Sequence, residues 1–230
     1  MVISSLQSKF GGASGLFANS PEIDYMEYAN DAAAQAAYVT NAGYANVVDQ
    51  QNTTATDYDY VGDVSDNEQK FAQSFQLSGD KTVTGIELKL LSVNGTPTGN
   101  WTVRIETNST KSPSGTLADA NATVTGAPPD TGATKVFWFA TPFVLTGSTT
   151  YHIVVSADAQ TTNNRWNLYL HATEAYVNGW HCEFNVGGSS SWTVYDGPAN
   201  YYDAWFKVYV QGTEKTLQCY SEATIKQQGS

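Results

Sequence analysis

Basic charge is the scarcest ingredient of this sequence. Its 230 residues include 11 Lys and Arg against 22 Asp and Glu, for a net charge of −11. Charged residues total only 14%, well below the usual share of about a quarter. Proteins that bind phosphate backbones cluster Lys and Arg. No such cluster occurs, which argues against nucleic acid as a partner. The acidic balance also argues against anionic membranes and favours solubility.

Cysteine is nearly absent. Cys182 and Cys219 are too few for a disulfide framework or a zinc pattern. Either they form one bridge or both are buried thiols. Long apolar runs are missing too. No stretch approaches the roughly 20 residues of a membrane span. The N-terminal MVISSLQSKFGG lacks the apolar core of a signal peptide. What replaces charge is Thr, Ser, Asn and Gly, with 14 Tyr and 6 Trp. This neutral-polar, aromatic-rich composition suits all-β proteins outside cells. Combined with the missing secretion signal, it fits a virion protein, assembled inside the host and released by lysis. A fragment of a longer secreted protein fits as well.

Catalytic motifs are also lacking. There is no G-x-S-x-G elbow, P-loop, dinucleotide fingerprint or H-E-x-x-H. His152, His171 and His181 show no metal-type spacing and read as structural, exposed or hydrogen-bonded histidines. His181 and Cys182 are adjacent, and successive strand residues point to opposite faces, so they form no nucleophile–base pair. Asp196 and Asp203 are the loosest of candidates for a glycosidase carboxyl pair. The turn at Asp196-Gly197 and a hydrogen bond at a strand start explain them better. The chain is therefore expected not to be an enzyme.

What is present is a strand code. Ile86, Leu88 and Leu90 alternate with Glu87 and Lys89, and Trp101, Val103 and Ile105 with Thr102, Arg104 and Glu106. Tyr151, Ile153 and Val155, then Trp166, Leu168 and Leu170, then Phe206, Val208 and Val210 repeat the pattern. A period of two over short runs marks half-buried strands. Turn signals separate the runs, among them Asn94-Gly95, Pro113-Ser114-Gly115, Thr146-Gly147-Ser148 and Asn178-Gly179. The predicted fold is all-β: an antiparallel, jelly-roll-like β-sandwich over 70–212. Residues 1–44 are predicted as an N-terminal arm with a short strand in 22–28 and one short helix over 30–40, capped by Asn30 or Asp31 and ended by Gly43. Residues 45–69 read as an acidic polar linker, and 213–230 as a C-terminal attachment segment.

Two clusters are candidate sites. Asp57, Asp59, Asp63, Asp66 and Glu68 fall just before the sandwich. Hard oxygen ligands in a loop are what a structural Ca²⁺ requires, although the spacing is not that of an EF-hand. Trp180, Trp192, Tyr195, Tyr201 and Tyr202 cluster in Gly/Ser/Asn-rich sequence. Such rings stack on sugars, anchor protein interfaces, or pack loops.

Several segments carry a resemblance. They are Phe71-Ala72-Gln73-Ser74-Phe75, Val83-Thr84-Gly85-Ile86-Glu87-Leu88 and Pro97-Thr98-Gly99-Asn100-Trp101-Thr102-Val103. Ser114-Gly115-Thr116-Leu117, Leu145-Thr146-Gly147-Ser148-Thr149-Thr150-Tyr151 and Tyr202-Asp203-Ala204-Trp205-Phe206-Lys207-Val208-Tyr209 continue it. Together they resemble choice-of-anchor-type β-sandwich domains of phage and bacterial surface proteins. Ile23-Asp24-Tyr25-Met26-Glu27-Tyr28 with Ala32-Ala33-Ala34-Gln35-Ala36-Ala37-Tyr38-Val39, and the segment from Cys219 to Ser230, resemble phage lectin-like (laminin-G/concanavalin) modules. The resemblance implies a sandwich inserted between pieces of another module. It points to a virion structural protein on the particle surface, partnered by other virion proteins and by copies of itself. A carbohydrate-binding or adhesion module that meets cell-surface glycans, and an extracellular filament subunit, are the alternatives.

Overall fold

The computed structural model describes residues 25–28, 44–62, 70–158, 164–173, 175–185, 191–197, 200–214 and 218–221. The chain divides into two compact units, Met1–Ala45 with Gly212–Ser230, and Asn46–Gln211. In the first unit β1 (Tyr25–Tyr28) pairs in parallel with β17 (Gln218–Ser221). The expected helix over 30–40 lies outside the described residues.

The second unit is an all-β sandwich. Strands β2 (Tyr44–Asn52), β3 (Asp57–Val61), β4 (Lys70–Gln76), β5 (Lys81–Asn94) and β6 (Trp101–Ser109) open it. There follow β7 (Ser112–Leu117), β8 (Thr123–Gly126), β9 (Thr134–Leu145), β10 (Thr150–Ala157) and β11 (Arg165–His171). The last are β12 (His181–Asn185), β13 (Ser191–Gly197), β14 (Asn200–Tyr201), β15 (Asp203–Ala204) and β16 (Phe206–Glu214). Sheet one runs β14-β13-β12-β4-β10-β6-β7, with β8 also on β6. Sheet two runs β15-β11-β5-β16-β2, with β3 on β11 and β9 on β5.

The alternating residues of the sequence supply the core. From sheet one come Phe71, Phe75, Trp101, Val103, Ile105, Ile153 and Val155; from sheet two come Ile86, Leu88, Leu90, Trp166, Leu168, Phe206 and Val208. Trp101 anchors the middle. Its ring stacks on Phe137 (6.1 Å, 16°) and meets Trp166 edge-on (6.1 Å, 86°). Truncating so large a buried ring costs on the order of 3–5 kcal/mol.

The segment read as a linker differs from that reading. Much of 45–61 is strand: β2 lies beside β16 and β3 pairs with β11. Its polar composition hid this, because the inward residues of β3 include Asp59, buried beside a histidine rather than beside apolar side chains. Period two still holds there, since Asp59 and Val61 are buried while Tyr58 is exposed.

Sheet one also has a buried outer face. Ala72, Val154 and Cys182 form a second small core, packed by half-buried Trp180, Trp192 and Val194. The tip of the β6–β7 hairpin covers part of it. Thr110 (φ 49°) and Lys111 (φ 74°) turn left-handed there, and Lys111 O accepts from Trp180 Nε1 (2.6 Å) and Cys182 Sγ (3.4 Å). Lys111 pairs with Asp196 of β13. Five strand spacings separate β7 from β13, about 24 Å in a flat sheet. The contact exists because the sheet curls and the hairpin arches over it.

His152 is sealed under this cover, fully buried. Its Nε2 lies 2.9 Å from Asn108 Oδ1, and its Nδ1 has no hydrogen-bond partner among the described residues. A proton on Nδ1 is therefore unfavourable, and burial lowers the ring from its ordinary 6.5 to about 4. The unfolded ring protonates below 6.5 and the folded ring only near 4, so His152 removes stability as pH falls through that window. The loss amounts to about 3 kcal/mol in all. Asp203, raised by burial, has the opposite slope. We expect urea midpoints across this window to fall more steeply for the parent protein than for His152→Gln. Asp203 is common to both, so the difference isolates His152, and identical slopes would contradict the assignment.

Candidate functional site

The polar residues inside the sandwich gather at one end and stitch the sheets together. Gln73 of β4 reaches across to β15: its Nε2 donates to Asp203 Oδ1 (3.2 Å), and its Oε1 accepts from Ala204 N (2.7 Å). The other Asp203 oxygen accepts from the backbone N–H groups of Ala175 (2.8 Å) and Tyr176 (2.9 Å). Burial outweighs these three donors and holds the Asp203 carboxyl above its ordinary range. Asn52 Nδ2 donates to Ala204 O (2.8 Å) and secures β2 to the same point.

His181 is the next stitch. Its Nδ1 lies 3.0 Å from Ala72 O, and its Nε2 lies 2.8 Å from Asp59 Oδ2 on the opposite sheet. Both partners are acceptors. A ring carrying two protons satisfies them together, and a neutral ring satisfies one. Both nitrogens are thus engaged by the protein, which leaves neither positioned to take a proton from a substrate.

Above this pair the sheets part into an open pocket of about 200 Å³. Asp57, Tyr58, Asp59 and Leu170 line it from sheet two; His181, Glu183 and Tyr195 line it from sheet one, with Tyr202 beside them. Tyr195 stacks on His181 (5.4 Å, 18°), and Tyr202 meets it edge-on (5.3 Å, 88°). Tyr195 Oη donates to Glu183 Oε2 at 2.9 Å. Burial, and then that hydrogen bond, push the phenol upward, so it remains a donor. Tyr58 stands exposed at the rim, and its N–H donates to Asp57 Oδ1 (2.9 Å).

The backbone below is fixed by a close approach. A Cβ on Gly179 would lie 2.1 Å from Ser74 O, so only glycine lets this turn close on β4. Trp180 N then donates to Ser74 Oγ (2.7 Å) and Ser74 N to Trp180 O (2.9 Å), which sets the start of β12 and hence His181.

The structure therefore regroups the expected residues. Tyr195 and Tyr202 join Asp57 and Asp59 in one pocket, merging parts of both sequence clusters. Trp180 and Trp192 do not join them. They pack on the opposite face of sheet one, beside Cys182, because Trp192 and Tyr195 are three residues apart on one strand and point to opposite sides. The side chain of Tyr201, and Asp63, Asp66 and Glu68, lie outside the described residues. Among the described residues no group of three His, Cys, Asp or Glu is arranged to hold a metal, and Asp59 is turned to His181 instead. Cys182 is a free buried thiol, pushed up to about 12 by burial; the side chain of Cys219 lies outside the described residues. His181, Glu183 and Tyr58 were not singled out as site residues. The period-two signal placed His181 and Cys182 on opposite faces, but nothing local pairs His181 with Asp59, more than a hundred residues away.

Comparison with protein-family models finds no match, and comparison with the curated proteins finds none.

Asp59→Ala and His181→Ala should each lower unfolding free energy by about 2–3 kcal/mol, because each strands a buried polar partner. The double variant should lose less than the sum, with a coupling of about 1–2 kcal/mol in urea denaturation. Strictly additive losses would show that the two side chains do not act as a pair.

Proposed function

We propose that this chain is a non-enzymatic structural protein of a virion, a capsid-decoration, head-fibre or tail component that displays a jelly-roll-like sandwich on the particle surface. The observation that carries this reading is the gathering of both flanks, Met1–Ala45 and Gly212–Ser230, into a unit of their own. Parallel strands cannot be joined by a tight turn and need a crossover connection. Between β1 and β17 that connection is the whole sandwich. The sandwich accommodates this, because its first and last strands, β2 and β16, are neighbours in sheet two. A display domain carried on an attachment base has this organisation. The resemblance of 70–212 to choice-of-anchor-type domains supports the same reading. Its partners are other virion proteins and further copies of the chain, met through the flanks.

The second reading is a carbohydrate-binding or adhesion module, and the open pocket over His181 and Asp59 favours it. The two readings are compatible, since a displayed domain is well placed to meet cell-surface glycans.

A chain lacking residues 1–43 and 215–230 is expected to stay folded, with the melting temperature of the sandwich, but to lose self-association and particle attachment. Analytical ultracentrifugation and binding to particles made without the protein measure this. Full assembly by the trimmed chain would remove the role given to the flanks.

A further inference from the structure

We propose that the pocket walled by Asp57, Tyr58, Asp59, Glu183, Tyr195 and Tyr202 binds the protonated amine of an amino sugar. The proposal rests on the second reading above, that this pocket is a ligand site, and it names the ligand's chemistry.

The charge of the lining points to a cation. Three acidic side chains, Asp57, Asp59 and Glu183, line the pocket, and no Lys or Arg does. His181 offers an anion little, because both its ring nitrogens already face Ala72 O and Asp59 Oδ2. The whole chain, at −11, adds a field of the same sign.

The rings point to an ammonium rather than to a bare metal ion. Ring faces carry negative potential and attract ammonium groups, and Tyr58, Tyr195 and Tyr202 all border the space. A calcium ion needs six to eight oxygen ligands. Here the acidic oxygens are largely committed: Asp59 Oδ1 accepts from Tyr60 N (2.7 Å), Oδ2 faces His181, and Glu183 Oε2 accepts from Tyr195. An ammonium group donates to these same oxygens without displacing their partners, because each oxygen accepts more than one hydrogen bond.

The shape and polarity point to a sugar body. The pocket is open, about 200 Å³, and Leu170 is its single aliphatic wall. An alkyl amine finds little apolar surface there. A hydroxylated ring keeps its hydroxyls in water or on carboxylates, and lays its C–H face on the exposed Tyr58 ring at the rim.

Isothermal titration of the intact chain at neutral pH and low salt tests this with glucosamine, glucose and N-acetylglucosamine, with CaCl₂ as a separate arm. Glucosamine is expected to bind saturably, about tenfold or more tighter than either neutral sugar. Glu183→Gln and Tyr58→Ala should each weaken it by about tenfold. Tyr58→Ala, at the rim, should keep the parent melting temperature, which separates lost binding from lost folding. Equal binding of glucose and glucosamine would overturn the charge selection and leave the pocket as a neutral-sugar site. Absence of binding by all three sugars would overturn both the proposal and the reading beneath it. Glucosamine binding that neither variant weakens, or a Ca²⁺ heat lost in Glu183→Gln with no glucosamine heat, would also overturn it.

Discussion

A buried polar seam between the two sheets is the constraint on which the site depends. Gln73, His181, Asp59 and Asp203 are all nearly inaccessible to water, and each finds its partner across the sandwich. An unpaired buried polar group is costly, whereas a paired one is close to neutral. Slippage of either sheet would break several of these pairs at once. The seam therefore fixes the end of the sandwich in a way that the apolar core, being non-directional, does not. It also sets the depth of the pocket, whose floor is the Asp59–His181 pair.

The outer side of sheet one is governed by a different effect. A half-exposed face is covered by the chain itself, through the arch of the β6–β7 hairpin. Lys111 O ties Trp180 and Cys182 to the hairpin tip, and Asn108 holds His152 nearby. Trp180 and Trp192 are consumed in that packing. Rings that suggest a sugar platform in the sequence thus stabilise a second core, and the rings available to a ligand are tyrosines held between the sheets.

Much of the fold was legible in the sequence because strand parity is a local property. The inward sides of β5, β6, β10, β11 and β16 are the residues whose alternation predicted them. Two things were harder. The strand β3 was hidden because Asp59 faces inward, and an inward carboxyl looks like a solvated one until its histidine is known. The aromatic cluster was read by proximity along the chain, although parity already separated Trp192 from Tyr195. Applying the strand period inside that cluster, as it was applied to His181 and Cys182, would have split it.

The sequence by itself determined the class of structure, since alternation and turn chemistry act over a few residues and tolerate no other element. It also determined the acidic field and the scarcity of groups suited to nucleic acid. Only the tertiary structure decided which polar residues became a site. Asp57 and Asp59 come from one sheet, and His181, Glu183 and Tyr195 from the other. Their meeting depends on strand order and register across the sandwich. Those are set by the packing of two complete sheets and by long-range pairs such as Gln73 with Asp203, and no local pattern encodes them.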